Sequence, residues 1–145
     1  MRDSIESEIE IAAPLDRVWG LVSQPGWWVN DGTYAEGAAE RVADGEWVVH
    51  NEHHGDIAVT VVELAEPERA VFRWSPGGPG SSPTTIEFTL ASSSGGVTVA
   101  VVESGFAALT PEQYEKTYSG NVEGWRIELG ALADAADAAR TGEHA

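Results

Sequence analysis

Cysteine is absent from this 145-residue sequence, which excludes disulfide bonds, thiolate metal sites and a thiol nucleophile. Basic residues are scarce, since 8 Lys and Arg stand against 24 Asp and Glu and the formal net charge is −16. A chain this acidic is repelled by nucleic-acid phosphates and anionic lipid headgroups, so neither nucleic acid nor a membrane is an expected partner. No apolar run approaches the roughly 20 residues of a membrane span, and MRDSIESEIE is too charged for a signal peptide. We therefore expect one cytoplasmic domain over residues 1–145.

The first 32 residues carry the signals of one strand and two short helices. Isoleucine alternates with polar residues over 5–11, a pattern typical of a half-buried strand. Apolar residues over 15–22 recur at helical spacing, and Pro25-Gly26 ends this helix. We expect a second short helix to begin at Trp27-Trp28 and to end in the turn-prone residues 30–32.

Segments rich in Val, Ile, Thr and aromatic residues predict five further strands, near 45–51, 54–64, 69–75, 84–91 and 96–104. The spacers between them are short and rich in Gly, Pro and Ser, which favours antiparallel neighbours joined by hairpins. The longest spacer is SPGGPGSSP at 75–83. We expect it to be a mobile loop near the mouth of a cavity, and it lacks the lysine of a phosphate-binding loop.

A long helix closes the sequence. Thr110 as N-cap, Pro111 in the first turn and Gln113 at the capping-box position predict its start, and Gly142 is a stop signal. Apolar residues three or four apart define one face: Tyr114, Tyr118, Val122, Trp125, Leu129, Leu132 and Ala136. Three glycines interrupt the helix: Gly120, Gly124 and Gly130. Each lowers helix stability by about 1 kcal/mol relative to alanine. Their presence indicates either a close approach of another backbone or open space beside the helix.

This order of elements predicts an α+β fold, in which a curved antiparallel sheet of about six strands wraps around the long helix. Three stretches follow a familiar order: IEIAAPLDRVWGLVSQPGWW at 9–28, HGDIAVTVVELAEPERAVFRW at 54–74, and VVESGF at 101–106 followed by Gly124-Trp125, Leu129 and Leu132. They resemble the START-like (SRPBCC, birch-pollen-allergen-like) superfamily, and within it the branch named after the activator of the 90-kDa heat-shock-protein ATPase. The resemblance implies the helix-grip fold, which serves lipid and polyketide binders, aromatase/cyclases and co-chaperones.

The alternation along the strands indicates which side chains face the helix. Val97, Val99, Val101 and Glu103 share one face of the last strand, which brings a carboxylate inward. We predict a ligand site between sheet and helix formed by Trp28, Trp47, Trp74, Phe88, Glu103, Phe106, Tyr118, Trp125 and Leu129. The alternative is that these rings are packed core, although the indole N–H of a buried Trp needs an acceptor that a ligand or water can supply.

Glu103 has three interpretations at this point. It is exposed at the end of its strand, or buried and paired with Arg126 or a Tyr hydroxyl, or a desolvated pocket carboxylate with a raised pKa. Only the third suits acid–base chemistry.

The histidines do not form a metal site in the sequence. His50, His53 and His54 lie in HNEHHGD, beside or within a hairpin, where neighbouring side chains point to opposite faces. We therefore expect no metal, and no sequence motif indicates a cofactor.

Three functions remain open. The first is a binding protein for a hydrophobic or aromatic small molecule that carries few charges. The second is a cyclase, aromatase or hydrolase that uses the same cavity, with Glu103 and a His or Tyr as its polar groups. The third is a module that binds a protein partner, as the resemblance to the co-chaperone implies. The sequence favours the first, because the order of elements, the inward Trp residues and the mobile loop at 75–83 all suit a cavity with a mouth.

Overall fold

The computed structural model describes residues 2–29, 34, 39–51, 55–75 and 82–142. Within these ranges lie seven strands: β1 (Ser4–Ile11), β2 (Ala39–Ala43), β3 (Glu46–Asn51), β4 (Gly55–Ala65), β5 (Arg69–Trp74), β6 (Thr84–Ser93) and β7 (Gly96–Ser104). The helices are α1 (Leu15–Val22), a short 3-10 helix at Phe106–Ala108, and α2 (Pro111–Gly142). None of the helices in these ranges combines the length and the apolarity needed to cross a membrane.

The strands form one antiparallel sheet in the order β1-β7-β6-β5-β4-β3-β2. The sheet is curved and does not close, and α2 lies against it, which confirms the predicted α+β helix-grip fold. The five strands predicted in the middle of the chain are present within two residues of their predicted ends. Hairpins join them because each connection is too short for a crossover.

The sequence prediction missed strand β2. Four of its five residues are exposed, so AERVA carries no alternation between apolar and polar side chains. Pairing with β3 forms this strand, with Glu40 opposite Val48 and an irregularity between Arg41 and Ala43. The sheet therefore has seven strands rather than about six.

The predicted second short helix is wrong where the structure describes it. Residues 25–28 form a turn, closed by a hydrogen bond from the Val29 N–H to the Gly26 carbonyl at 3.0 Å. Gly26 has φ +75°, which a right-handed helix cannot accommodate, and a Cβ there would lie 2.3 Å from Val49 Cγ2. The turn thus packs closely against β3 and places Trp27 and Trp28 in the core. The expected end of this helix, at residues 30–32, lies outside the described ranges.

The start of α2 follows the prediction. The Gln113 N–H donates to Thr110 Oγ1 and the Thr110 N–H donates to Gln113 Oε1, both at 3.2 Å, which is a complete capping box. Tyr118 then donates its hydroxyl hydrogen to the Ser4 carbonyl at 2.8 Å, which ties the helix to β1. The predicted apolar face needs one correction, because Val122 is 39% exposed. The inward face passes through Asn121 instead, three residues after Tyr118 and four before Trp125.

Candidate functional site

Glu103 lies at the centre of a hydrogen-bond cluster between the sheet and α2. Its carboxylate has no solvent exposure. Trp125 Nε1 and Asn121 Nδ2 donate to Oε1, at 2.8 and 3.0 Å. Trp74 Nε1 donates to Oε2 at 2.8 Å, and the Thr84 hydroxyl donates to the same oxygen. A carboxylate accepts about four such bonds, so its acceptor capacity is filled. We call Glu103 and these four donors the Glu103 cluster.

The strand register explains why these side chains meet. Along β7, buried and half-buried residues alternate, so Glu103 follows Val97, Val99 and Val101 on the inward face. Glu103 lies opposite Ile86, and Trp74 lies opposite Thr84, so three adjacent strands bring their side chains to one end of the sheet. No irregularity interrupts β7, so the inward direction predicted for Glu103 is correct.

A pocket of about 100 Å³ lies on the helix side of this cluster. Its walls are formed by Trp28, Trp74, Asn121, Gly124, Trp125 and Glu128. Three of these six residues donate to Glu103, so hydrogen bonds to the buried carboxylate hold half of the lining residues in place. A Cβ at Gly124 would meet nothing within 4 Å, which shows that this glycine leaves open space.

Aromatic rings fill much of the space next to the pocket. The Trp28 ring lies 5.8 Å from Trp74, 6.1 Å from Trp125, 5.8 Å from Phe88 and 5.1 Å from Phe72, measured between centroids. Phe88 is fully buried behind the wall. These rings are therefore mainly packed against each other, and the pocket that remains is smaller than the 300–1,000 Å³ of a typical ligand site.

The predicted site residues divide into two groups. Trp28, Trp74 and Trp125 line the pocket, while Phe88 and Glu103 support its wall. The other four lie elsewhere. Phe106 packs on Tyr118 near the start of α2. Leu129 projects from α2 into the hydrophobic core, and Trp47 is half-buried on β3 and does not line the pocket.

Sequence reasoning missed the polar part of the pocket. Asn121, Gly124 and Glu128 line it, and with the buried Thr117 they form a stripe on α2 at spacings of four, three and four residues. This is helical periodicity in polar and small residues rather than in apolar ones. A search for such a second stripe beside the apolar face could have found these residues.

The interpretation of Glu103 as an exposed carboxylate is wrong, and so is its pairing with Arg126 or a Tyr hydroxyl. Arg126 is 72% exposed and donates to Glu123 at 3.3 Å. The Tyr118 hydroxyl bonds to β1, and the Tyr114 hydroxyl accepts from the Arg2 N–H at 2.9 Å. Within the described ranges no His or Tyr hydrogen-bonds to Glu103.

His50 belongs to a different cluster, which lies on β2, β3 and β4 at the other end of the sheet. Its Nδ1 lies 2.7 Å from Asp56 Oδ1 and its Nε2 lies 3.1 Å from Glu40 Oε2. Hydrogen bonds to Asp56 and then to Glu40 raise the pKa of His50 above its ordinary value. The carboxylates occupy opposite sides of the ring, and no group able to hold a metal ion is found among the described residues. His53, His54 and residues 76–81 of the predicted mobile loop lie outside those ranges.

Comparison with known proteins gives a family and a fold. The sequence profile of the family described as "Activator of Hsp90 ATPase homolog 1-like protein" matches residues 12–137. No curated protein sequence matches the chain.

Several solved structures have a similar fold. A protein from Mesorhizobium loti shares 17% identity over 92% of this chain and 96% of its own, with a TM-score of 0.69. The Aha1 dimer from Colwellia psychrerythraea shares 18% identity over 93% of this chain and 96% of its own, with a TM-score of 0.68. DynU16, a protein of the dynemicin biosynthetic locus, shares 21% identity over 92% of this chain and 47% of its own, with a TM-score of 0.70. This chain therefore spans about half of DynU16.

Proposed function

The chain belongs to the family of Activator of Hsp90 ATPase homolog 1-like proteins, and from this premise we propose that it binds an apolar or aromatic small molecule between the sheet and α2. The observation that carries the proposal is the pocket walled by Trp28, Trp74 and Trp125, with open space at Gly124. Aromatic walls with a few fixed polar groups are typical of small-molecule sites.

The size of the pocket limits what it can hold. A dry cavity of about 150 Å³ accommodates a benzene molecule, so the 100 Å³ here are smaller than that cavity and suit part of a ring or the end of a chain. The pocket also opens to solvent, which allows the rest of a larger ligand to remain outside. We therefore expect a ligand that inserts one apolar group rather than one that is enclosed.

Trp28 lies in the pocket wall but is itself nearly buried. Its side chain is 4% exposed, and its indole N–H has no hydrogen-bond acceptor in the described part of the chain. Because this nitrogen is covered by its surroundings, it does not specify an acceptor atom on the ligand. The occurrence of the same fold in a protein of the dynemicin biosynthetic locus agrees with a small-molecule role.

Filling the pocket tests the proposal. Nitrobenzene and toluene serve as probes, because neither emits in the range of Trp fluorescence, and binding is followed by the melting temperature and, for nitrobenzene, by Trp fluorescence. We expect both probes to raise the melting temperature and nitrobenzene to quench fluorescence, because three Trp rings line the pocket. Gly124→Leu should weaken binding by about tenfold or more by occupying the space. Gly120→Leu is the matched control, since Gly120 lies exposed on the same helix and an added Cβ there would also meet nothing within 4 Å.

Two outcomes would contradict the proposal. One is the absence of any fluorescence or melting response to the probes. The other is equal weakening by the two leucine variants, which would place the binding site elsewhere.

Protein binding is the second candidate. The family description favours it, and two apolar side chains of β4, Val62 and Leu64, are 47% and 48% exposed. Stimulation of a purified 90-kDa heat-shock ATPase by the chain would support this function. Val62→Ser with Leu64→Ser should then abolish the stimulation, while Gly124→Leu should not.

A further inference from the structure

The polar hydrogens of the aromatic pocket walls are not available to a ligand. The indole N–H groups of Trp74 and Trp125 donate to Glu103, and that of Trp28 is covered by its surroundings. Glu103 itself accepts four hydrogen bonds and has no solvent exposure, so it has no capacity left for a ligand. The aromatic walls therefore contribute apolar surface to the pocket and no free hydrogen-bond donor.

Asn121 differs from these walls because only one end of its amide group is used. Its Nδ2 donates to Glu103 Oε1 at 3.0 Å, which directs Oδ1 away from Glu103. No donor in the described part of the chain bonds to Oδ1, and this oxygen is not one of the buried polar atoms that lack a partner. Since the side chain is half-buried and lines the pocket, Oδ1 is an accessible acceptor at the pocket surface.

The surroundings of Glu103 determine which end of the Asn121 amide faces it. Trp74 and Trp125 donate to the two oxygens of this carboxyl group, and an indole N–H can only donate. The amide nitrogen, which is a donor, is therefore the end of Asn121 that fits this group of donors. An acceptor whose orientation is fixed before the ligand arrives loses little conformational entropy on binding. Glu128, the other polar residue of the wall, already interacts with another group of the protein, so Asn121 Oδ1 is the better candidate acceptor.

We infer that Asn121 Oδ1 selects a ligand that carries a neutral hydrogen-bond donor, a hydroxyl or N–H group, on an apolar or aromatic body. The inference rests on the ligand-binding function proposed above and adds the polar group that the ligand presents. The aromatic walls bind the body of the ligand, while one oriented acceptor fixes its position. A ligand without a donor displaces water from Oδ1 and replaces it with nothing, which lowers the affinity.

Probes with one aromatic ring test the chemical group. Phenol carries a hydroxyl group where fluorobenzene carries fluorine, so the two fill similar space and only phenol donates. We expect phenol to bind about three- to tenfold more tightly, the gain from one hydrogen bond, in titrations followed by NMR of the protein. An ordinary apolar pocket would give the opposite order, because fluorobenzene leaves water more easily. Benzonitrile is the acceptor-only probe, since Asn121 Nδ2 keeps a second hydrogen, and it should bind less tightly than phenol.

A pair of variants then locates the acceptor. Asn121→Leu keeps a side chain of similar size but removes Oδ1 together with one donor to Glu103. Thr84→Val is the matched control, because it also removes one donor to Glu103 while Thr84 does not line the pocket. We expect Asn121→Leu to abolish the preference for phenol and to change the binding of fluorobenzene by less than about twofold. Thr84→Val should keep the preference for phenol.

The results separate this inference from the proposed function. Equal or tighter binding of fluorobenzene or benzonitrile would overturn the inference and leave the ligand-binding function in place. Binding of none of the probes would overturn both. A preference for phenol that survives in Asn121→Leu, or that Thr84→Val also abolishes, would show that Oδ1 is not the selecting acceptor. If Asn121→Leu fails to fold, Asn121→Ala replaces it, because alanine favours the helix and the added space affects phenol and fluorobenzene alike.

Discussion

Two polar clusters of this protein use similar groups in opposite surroundings. In the Glu103 cluster one carboxylate, without solvent exposure, accepts four hydrogen bonds from neutral donors. On the outer face of the sheet, Arg69 bonds to Glu63 and Glu87, with Nε 2.5 Å from Glu87 Oε2, and these side chains are 34–44% exposed. Both clusters link neighbouring strands. Only the outer one contains opposite charges.

From this difference we expect burial, rather than charge pairing, to decide how much such a cluster contributes to the free energy of unfolding. An exposed ion pair forms at the expense of favourable contacts that its groups make with water. It therefore contributes only about 0–1 kcal/mol to the free energy of unfolding. A buried acceptor that is removed leaves donors without water or acceptors, at about 1–3 kcal/mol for each. We therefore expect the uncharged donors around Glu103 to matter more than the ion pairs outside.

Removal of the buried carboxylate is the strongest test of this comparison. Glu103→Ala leaves the indole N–H groups of Trp74 and Trp125 and the amide of Asn121 without their acceptor. We expect the free energy of unfolding, measured in urea, to fall by about 3–5 kcal/mol. Glu87→Ala is the control and should lose less than about 1 kcal/mol. Similar losses in the two variants would remove the distinction between the clusters.

The sequence predicts the inward direction of Glu103 but not its surroundings. Alternation along β7 is a local property, and Val97, Val99 and Val101 make it easy to read. The contacts with Trp74 and Asn121 depend on how three strands and a helix come together, which no local pattern encodes. Asn121 and Glu128 were missed because a search for an apolar face passes over polar residues. Strand β2 was missed because its side chains are exposed and only pairing with β3 forms it.

Removal of a single donor sharpens the comparison. Trp74→Phe keeps an aromatic ring next to Trp28 and deletes the 2.8 Å hydrogen bond to Glu103 Oε2. Because the acceptor is buried, we expect a loss of about 1–2 kcal/mol in the free energy of unfolding. Trp47→Phe is the same chemical change outside the Glu103 cluster and should lower the free energy of unfolding by a smaller amount. A loss at Trp74 no larger than that at Trp47 would contradict the importance assigned to this bond.

Loss of the outer ion pairs should lower the free energy of unfolding by less, and by an amount that depends on salt concentration. Arg69→Ala removes both bonds to Glu63 and Glu87. We expect a smaller loss of stability than from Glu103→Ala, and one that decreases as salt is added because these groups face water. The loss from Glu103→Ala should not depend on salt. Urea titrations of both variants at low and high ionic strength make the comparison, and a salt-independent loss for Arg69→Ala would mean that its side chain acts by packing.

The smallest effect is expected at His50 and depends on pH. Its bonds to Asp56 and Glu40 raise the pKa of the folded form above the ordinary value of 6.5. A raised pKa means that the folded protein holds the proton more tightly than the unfolded chain. The contribution is therefore complete below pH 6.5 and is lost as the pH rises through the folded pKa. His50→Gln should lack it, so the stability difference between the two proteins should shrink on raising the pH from about 5.5 to 8.5. The other histidines are common to both proteins and cancel in this difference. A gap that stays constant or widens with pH would show that the contacts of His50 on the exposed face do not favour its protonated form.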